Sequence, residues 1–415
     1  MRKFLLSLTI LFSFSSFLKA ELLITQANVH IGDGAAPFPA DILIRDGIIQ
    51  KIASNISPQS NWEVLEANGL NVTPGLISPT SNIGMVEINA LDDTRDDESS
   101  LLKSGFSLFH AFNPNSTLIP WNRSNGVTGT ISSPSGSAFP FWGMGSYFLL
   151  DASMKITGLK DVAMYGRLGS SSGSRAEDIL MIESLLRLAA SIDLENIEDE
   201  LDDSLLATKL ELQPEDILAI RRLISEELPF VLETNRAADI LQAIRLKETY
   251  GLNLILESVE EAPLVLTELA SANIPVIIDP MDNIPDSFDE LASSLDLASI
   301  LDKAGIVIMF STQRSHNYHL MRQGAGNAVA YGMNYNHAIR GMTKAVADIF
   351  RIPNRGSIAV GNYADLVIWD GDPLEPSTLP KYVYINGKNM DLNTRATRLT
   401  ERYSKETDKP RVYLH

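Results

Sequence analysis

Residues 73–82 read TPGLISPTSN, and this stretch separates two kinds of sequence pattern. On its N-terminal side, short apolar runs are interrupted by turn residues at 32–34, 45–47 and 68–69, a pattern typical of antiparallel strands. On its C-terminal side, helical patterns alternate with short runs that are apolar throughout. We therefore interpret residues 73–77 as the passage from a small β module into the first strand of a larger α/β unit.

The apolar runs of the central region predict the strands of a parallel sheet. They are apolar on both faces and alternate with helical stretches such as 238–251 and 262–273, so both faces of the sheet should be covered. A length of roughly 280 residues favours a (β/α)8 TIM-like barrel over a doubly wound sheet, and no G-x-G-x-x-G opens a helix here. The runs are 126–132, 229–234, 252–258, 274–280 and 305–312.

The C-terminal region has the strand-rich texture of the N-terminal region, in 356–374 and 381–389. The two regions can pair around the central unit, which predicts a small β-sandwich module built from both. The predicted organisation is a signal peptide (1–20), a composite β-sandwich module (21–72 and 355–400), a barrel (73–354) and a C-terminal tail (401–415).

Composition excludes several classes of function. The 415 residues carry a formal net charge of -18, and such an acidic surface repels nucleic acid and anionic lipid. The chain has no cysteine, which excludes disulfides, thiolate nucleophiles and cysteine-ligated zinc.

The N-terminus has the pattern of a secretory signal peptide. Arg2 and Lys3 precede an apolar segment from Phe4 to Phe17, and Ala20 is a small residue at the expected cleavage position. The alternative is an uncleaved anchor, but the apolar segment is short for a membrane span. We predict a periplasmic or secreted protein with no stable membrane anchor after cleavage, and the absence of cysteine fits the periplasm.

Five phrases of the chain resemble the amidohydrolase superfamily, in particular its exported, imidazolonepropionase-related subgroup. The resemblance covers nearly all of the chain after the signal. It implies a hydrolase of carbon–nitrogen bonds other than peptide bonds, in which zinc held by the barrel activates a water molecule. The phrases are TPGLI (73–77), NPNSTLIPWNRSNGVT (113–128), PFVLETNRAADI (229–240), RQGAGNAVAYGM (322–333) and GSIAVGNYADLVIWD (356–370).

The chain departs from the superfamily's first metal-ligand motif. The His-x-His pair that the resemblance implies falls on Thr80 and Asn82, and the aspartate before it falls on Ser78. Side chains at alternate positions of a strand face the same side, so two histidines at these positions can bind one ion. A hydroxyl and an amide do not hold Zn²⁺ with comparable strength.

The later ligand positions are also changed. The two further histidines fall on Glu233 and on Glu257 or Ser258, and the final aspartate falls on Gln313 or Arg314. The resemblance implies zinc, whereas the residues present give no basis for assigning a cofactor, and we predict no metal ligand.

Polar residues nevertheless follow several predicted strands, at the rim where barrels bind their ligands. Glu233, Glu257, Asp279 and Gln313 predict a carboxylate-lined pocket for a hard cation or a cationic substrate group. The alternative, which we favour over a metal site, is that the carboxylates pair with arginines or face water. The predicted substrate-binding residues are Thr80, Asn82, Arg123, Arg236, Glu257, Asp279 and Gln313.

Histidine supplies the other candidate for catalysis. His316 and His319 follow the last predicted strand, at a spacing that could place both on one face of a helical turn, but no third ligand is apparent. As a hydrogen-bonding group or general base, His316 is the best single candidate, and we predict it to be catalytic together with Glu233. Residues 132–146, rich in glycine and serine, resemble a loop that covers substrate.

Two functions remain open. One is an exported hydrolase of carbon–nitrogen bonds whose metal site is lost or rebuilt. The other is a catalytically inactive pseudoenzyme that binds a small molecule or a partner. Both predict a small-molecule ligand and no nucleic acid, and association into a homo-oligomer stays open.

Overall fold

A computed structural model describes residues 21–404, except 137–138, 170–173, 226–227, 286 and 313–314. The predicted signal peptide, Gln313 and most of the predicted C-terminal tail lie outside this range. Within it, no helix combines the length and the apolar character that a bilayer span requires.

The strands of the described residues form two sheets of eight strands each. They are β1 (Leu22–Val29), β2 (Phe38–Arg45), β3 (Ile48–Ala53), β4 (Glu63–Glu66), β5 (Asn71–Pro74), β6 (Leu76–Ser81), β7 (Val127–Ser132), β8 (Phe141–Leu149), β9 (Gly158–Arg167), β10 (Phe230–Thr234), β11 (Leu254–Ser258), β12 (Val276–Ile278), β13 (Ile308–Phe310), β14 (Leu366–Trp369), β15 (Pro380–Ile385) and β16 (Lys388–Asn389).

Helices lie mainly between the later strands. The α-helices are α1 (Leu118–Arg123), α2 (Arg175–Ser191), α3 (Ile197–Asp203), α4 (Leu205–Leu210), α5 (Pro214–Ser225), α6 (Ala237–Tyr250), α7 (Leu266–Ser271), α8 (Leu297–Lys303), α9 (Met321–Ala330), α10 (Tyr335–Gly341), α11 (Lys344–Ile349) and α12 (Arg395–Tyr403). Short 3-10 helices occupy Asp92–Thr94, Leu108–Ala111, Leu194–Asn196, Ala262–Val265 and Tyr318–Leu320.

The first sheet joins the two ends of the chain. Its order is β16-β15-β14-β5-β1-β2-β3, with β4 beside β1, and β14 pairs antiparallel with β5 so that Leu366 lies opposite Pro74. The predicted pairing of the terminal regions is thus confirmed. All eight strands are hydrogen-bonded into one sheet, and the second layer of the predicted β-sandwich is not confirmed.

The second sheet runs in the order β13-β12-β11-β10-β9-β8-β7-β6, and β13 contacts β6, which makes a nearly closed barrel. The apolar runs predicted as strands correspond to β7, β10, β11, β12 and β13, and the helical stretch 238–251 corresponds to α6. These predictions are confirmed because doubly buried strands leave a continuous apolar signal.

The prediction of a uniformly parallel (β/α)8 barrel needs correction. Strand β8 runs antiparallel to both neighbours, and no helix separates it from β7 or β9. Residues 141–146, predicted as part of a covering loop, belong to this strand. Its glycines are packing requirements: a Cβ on Gly145 would lie 2.4 Å from the ring of Tyr165.

Alternate side chains of the strands fill the barrel interior. Val231, Ile255, Ile277 and Met309 lie in one buried cluster, to which α11 contributes Val346. Two positions further along β10 and β11, the chain places Glu233 and Glu257. Because strand side chains alternate with a period of two, these carboxyl groups face the same interior at the carboxyl ends of the strands.

Trp369 connects the first sheet to the barrel. Its side chain is fully buried in the barrel core, and its Nε1 donates a hydrogen bond of 2.9 Å to Thr73 Oγ1. The Arg322 guanidinium lies over the ring, 5.0 Å from its centroid. The stretch that separates the two sequence patterns is therefore held in place by a residue that lies near the other end of the chain.

Replacing Trp369 tests this connection. Trp369→Phe leaves the buried Thr73 hydroxyl without its donor and removes packed volume, so we expect the free energy of unfolding to fall by about 2–4 kcal/mol. Urea denaturation measures the change. Trp62→Phe is the matched control, because the buried Trp62 Nε1 makes no hydrogen bond to any residue that the structure describes. An equal loss in both variants would contradict the assigned role.

Candidate active site

A cavity of about 340 Å³ opens at the carboxyl ends of the barrel strands. Thr80, Asn82, Glu233 and Glu257, all predicted as site residues, line it together. The other lining residues are Ser81, 133–136, Trp142, Ser311, Thr312, Ser315 and Tyr318.

The register of the sheet makes Glu233 and Glu257 direct neighbours. They are paired residues of the parallel strands β10 and β11, and such strands lie about 4.8 Å apart. On the other side of Glu233, its β9 partner is Arg167, whose Nε lies 3.5 Å from Glu233 Oε1. One guanidinium and two carboxyl groups therefore stand in a row across three strands.

Burial and proximity determine the charge of this row. Burial raises the pKa of Glu257 to about 8, and the Glu233 carboxylate contributes to the rise, while the Thr80 hydroxyl opposes it. Burial also raises the pKa of Glu233, but the positive charge of Arg167 opposes that shift. At neutral pH the pair therefore holds one proton, on Glu257, and one negative charge, on Glu233 beside Arg167.

Two neutral side chains lie close to this pair. Tyr165 is buried, and its hydroxyl donates to Pro79 O at 2.7 Å; burial raises the pKa of this phenol well above its usual range. The Thr80 Oγ1 is also buried and makes no hydrogen bond of normal geometry within the described residues, but it lies close enough to the Glu257 carboxyl group to lower the pKa of that group. Thr80 thus places a hydroxyl group next to the Glu257 carboxyl group.

Asn82 has a different role, because its amide is already engaged. Its Nδ2 donates to Asp97 Oδ2 at 2.8 Å, and Tyr318 Oη donates to its Oδ1 at 3.3 Å. Asp97 is completely buried and also accepts from Arg95 and from Ser135 Oγ, the latter at 2.6 Å. Asn82 thus fastens the segment that follows β6 to the rim of the barrel.

Buried polar atoms without partners concentrate around the carboxyl ends of these strands. Buried polar groups are hydrogen-bonded in most proteins, so a local group of exceptions indicates a place where a ligand completes the bonding. In the described part of the chain, the atoms here are Thr80 Oγ1, Trp142 Nε1, Thr234 Oγ1, Asn235 Oδ1, Glu260 Oε2 and His316 Nε2.

His316, a predicted site residue beyond the last strand, does not join the carboxyl pair in the described part of the cavity lining. His316 adopts a left-handed backbone conformation (φ 73°), and its carbonyl accepts from Asn122 Nδ2 at 3.0 Å. Its ring Nε2 is buried, but the residue does not line the cavity. Gln313 lies outside the described residues, so its predicted role stays a prediction.

The remaining predicted residues also lie apart from the cavity lining. Asp279 Oδ1 accepts from the backbone N–H of Met281 at 2.9 Å, and Arg236 precedes α6 with its Nε 3.9 Å from Asp289 Oδ1. Arg123 lines a second cavity. The sequence analysis selected these residues because they are polar and lie near the ends of predicted elements. In the structure, their side chains make local contacts instead.

Sequence reasoning missed Arg167 and Trp142, which complete the surroundings of the pair. Both belong to the antiparallel part of the barrel: Arg167 ends β9, and Trp142 lies near the start of β8. If the sequence analysis had recognised β9 as a strand, Arg167 would have been selected as the polar residue at its carboxyl end, as Glu233 was for β10.

The side chains at the implied zinc positions do not fit a zinc ion. The Asn82 amide is occupied by two partners, and the hydroxyl of Thr80 is a weak ligand for zinc. Over the described residues, no group of three or more histidine, aspartate and glutamate side chains is arranged to hold a metal ion.

Comparison with known proteins identifies the fold. The Amidohydrolase family model matches residues 252–391. A segment of 64 residues is 39% identical to amidohydrolase tasK of Hapsidospora irregularis, but it spans 15% of this chain and only 6% of that protein. The structure of an amidohydrolase from Thermotoga maritima MSB8 is similar with a TM-score of 0.76 and 23% identity, covering 89% of this chain and 99% of that one.

A second solved structure shows the same architecture with greater divergence. Molinate hydrolase is similar with a TM-score of 0.54 and 15% identity, covering 91% of this chain and 96% of the other. The predicted resemblance to amidohydrolases is thus confirmed for the fold and for the family match within residues 252–391. The exported, imidazolonepropionase-related subgroup stays a prediction.

The raised pKa of Glu257 predicts how stability depends on pH. The folded protein keeps this proton up to about pH 8, whereas the unfolded chain loses it near pH 4.3, about the ordinary pKa of glutamate. The Glu257 carboxyl group therefore lowers the free energy of unfolding as pH rises between those values. Relative to wild type, Glu257→Gln should gain on the order of 1–3 kcal/mol between pH 4.5 and pH 8.5.

Urea denaturation at several pH values measures this difference. Glu248→Gln, on the exposed side of α6, provides the matched control for a carboxylate-to-amide change. Parallel stability curves for wild type and Glu257→Gln would contradict the assigned protonation of Glu257.

Proposed function

We propose that this protein is a hydrolase of carbon–nitrogen bonds other than peptide bonds that uses Glu233 and Glu257 in place of a metal ion. The observation that carries the proposal is the pair itself: two carboxyl groups at paired positions of β10 and β11 line one cavity, and burial raises the pKa of one of them, Glu257, to about 8. The amidohydrolase fold and the family match support the reaction class.

The two protonation states assign two roles. Glu233, ionised beside Arg167, takes a proton from a water molecule whose oxygen attacks the carbonyl carbon of the substrate. Glu257 donates its proton to the carbonyl oxygen, which gives a tetrahedral intermediate with two hydroxyl groups. As the C–N bond breaks, Glu233 gives its proton to the amine nitrogen, and one hydroxyl group of the intermediate returns a proton to Glu257. The reaction consumes one water molecule, and one proton is left on the pair, as at the start.

Neighbouring donors orient the substrate. The Trp142 indole N–H has no hydrogen-bond partner in the described structure, the Thr80 hydroxyl lies beside Glu257, and both residues line the cavity. Either group can hold the oxygen on which negative charge develops. Tyr165 and the Asn82 network keep the surrounding wall fixed, which preserves the alignment of the two carboxyl groups.

The cavity also sets the class of substrate. A volume of about 340 Å³ suits a small molecule. Glu260, which is 7% exposed, lies near Glu233, and burial raises its pKa to about 8, so it carries no charge at neutral pH. We infer that the substrate is neutral or cationic, because an anionic one meets repulsion from the Glu233 carboxylate.

A binding protein without turnover is the second candidate, and the Asn82 network favours it. This network makes one position of the implied ligand set part of the scaffold, as expected if the site only binds.

We further propose that the protein is exported, on the strength of the signal-like pattern in residues 1–20.

Activity assays distinguish the two candidates. Purified protein kept in chelator is tested against neutral and cationic amides, ureas and cyclic imides by detection of the released amine. We expect turnover that declines above about pH 8, as Glu257 loses its proton. The variants Glu233→Gln and Glu257→Gln should each reduce the turnover rate by about 10²- to 10⁴-fold.

Glu290→Gln is the matched control, since this carboxylate lies outside the cavity lining and bonds Asn235 and Ser287 instead. Full activity of both cavity variants, or turnover only after addition of zinc, would overturn the two-carboxylate mechanism. Saturable ligand binding with no turnover of any substrate would establish the binding protein instead.

A further inference from the structure

A second cavity, of about 510 Å³, lies between α1 and α12 and shares no lining residue with the first. Four guanidinium groups surround it, those of Arg123, Arg395, Arg398 and Arg402. The chain as a whole has a net charge of -18, so this group of positive charges is opposite in sign to the rest of the protein. A concave, positively charged surface attracts anions.

Arg123 has hydrogen-bonding capacity that the described residues leave unused. The residue is only 6% exposed, and its Nη1 and Nη2 donate to the carbonyls of Leu150 (3.1 Å) and Asp391 (3.4 Å). Its Nε is buried without a partner among the described residues. The carboxylates of Asp151 and Asp391 lie close enough to act on its charge, but neither forms an ion pair with it in the described part of the chain, so a bound anion would further offset the cost of burial.

Helix α12 supplies the other three arginines from one side. Arg395, Arg398 and Arg402 follow at intervals of three and four residues, so they lie along one face of the helix. Arg398 has a surface ion pair of 3.7 Å with Asp391, and the helix buries none of its residues. These three arginines therefore contribute little to packing, and what they have in common is that they border the cavity.

The remaining described lining is largely apolar and contains no aromatic ring, and Asp151 is its one carboxylate beside the four guanidinium groups. Ile119 of α1, Met154 and Leu399 provide aliphatic surface, and Ser116 and Thr117 provide hydroxyl groups. Without an aromatic side chain to stack on, a nucleotide base has no platform here. The combination of guanidinium groups with aliphatic walls fits a molecule that is anionic at one end and apolar along its length.

We propose that this cavity binds an organic carboxylate with an aliphatic chain, its carboxylate held by the arginines and its chain against Ile119, Met154 and Leu399. Carboxylate matches the planar fork of a guanidinium, and a bidentate pair adds geometry as well as charge. The site is independent of the carboxyl pair at the barrel mouth.

Calorimetric titration of the full chain with octanoate tests the proposal. We expect saturable 1:1 binding that weakens with added salt and becomes about tenfold weaker in the Arg395→Gln/Arg402→Gln double variant. These two side chains are on an exposed helix, so the variant should keep its fold. Arg187→Gln, an exposed arginine on α2, is the matched control and should bind octanoate as wild type does.

Two further ligands and one further variant separate the parts of the proposal. Octylamine has the same chain with the opposite charge and should not bind, and inorganic phosphate should bind more weakly than octanoate because it lacks the chain. Met154→Trp, at an exposed position on the cavity wall, should block octanoate by filling the space. Equal binding of octanoate and octylamine, tighter binding of phosphate, or full octanoate affinity in the double variant would each overturn the proposal.

Discussion

Two carboxyl groups at paired positions of adjacent parallel strands disfavour each other's ionisation when they line one cavity. The β10–β11 register imposes this constraint on Glu233 and Glu257, and the rest of the site is arranged around it. Arg167, one strand further, favours the negative charge on Glu233. The proton is left on Glu257, so the pair contains an acid and a base before any substrate arrives.

The antiparallel strand β8 explains how the wall of this site is built. In a uniformly parallel barrel, every strand presents its carboxyl end at the rim. Because β8 runs the other way, its beginning lies at that rim, which brings Trp142 and the preceding residues 133–136 to the cavity. The reversal also lets β7, β8 and β9 follow one another without helices, so this side of the barrel reaches the site with short connections.

Much of the fold can be predicted from the sequence because its signals are local. Doubly buried strands appear as apolar runs, and the position after each run identified Glu233 and Glu257. Strand β8 was missed because glycine and serine are rare in strands. In β8, Gly145 is needed because the ring of Tyr165, on the next strand, leaves no room for a Cβ. The bonds of Asn82 depend on Tyr318, 236 residues away, so no local pattern could reveal that its amide is occupied.

Fold and chemistry are therefore separable in this protein. The barrel, its attached sheet and the contact between Thr73 and Trp369 require apolar packing and hydrogen bonds that are independent of what stands at the strand ends. A metal ion supplies positive charge to activate water, whereas a pair of carboxyl groups supplies a proton and a place to receive one. The second arrangement works only between the two ionisation steps of the pair, so its operating range depends on Arg167 and on the burial of Glu257.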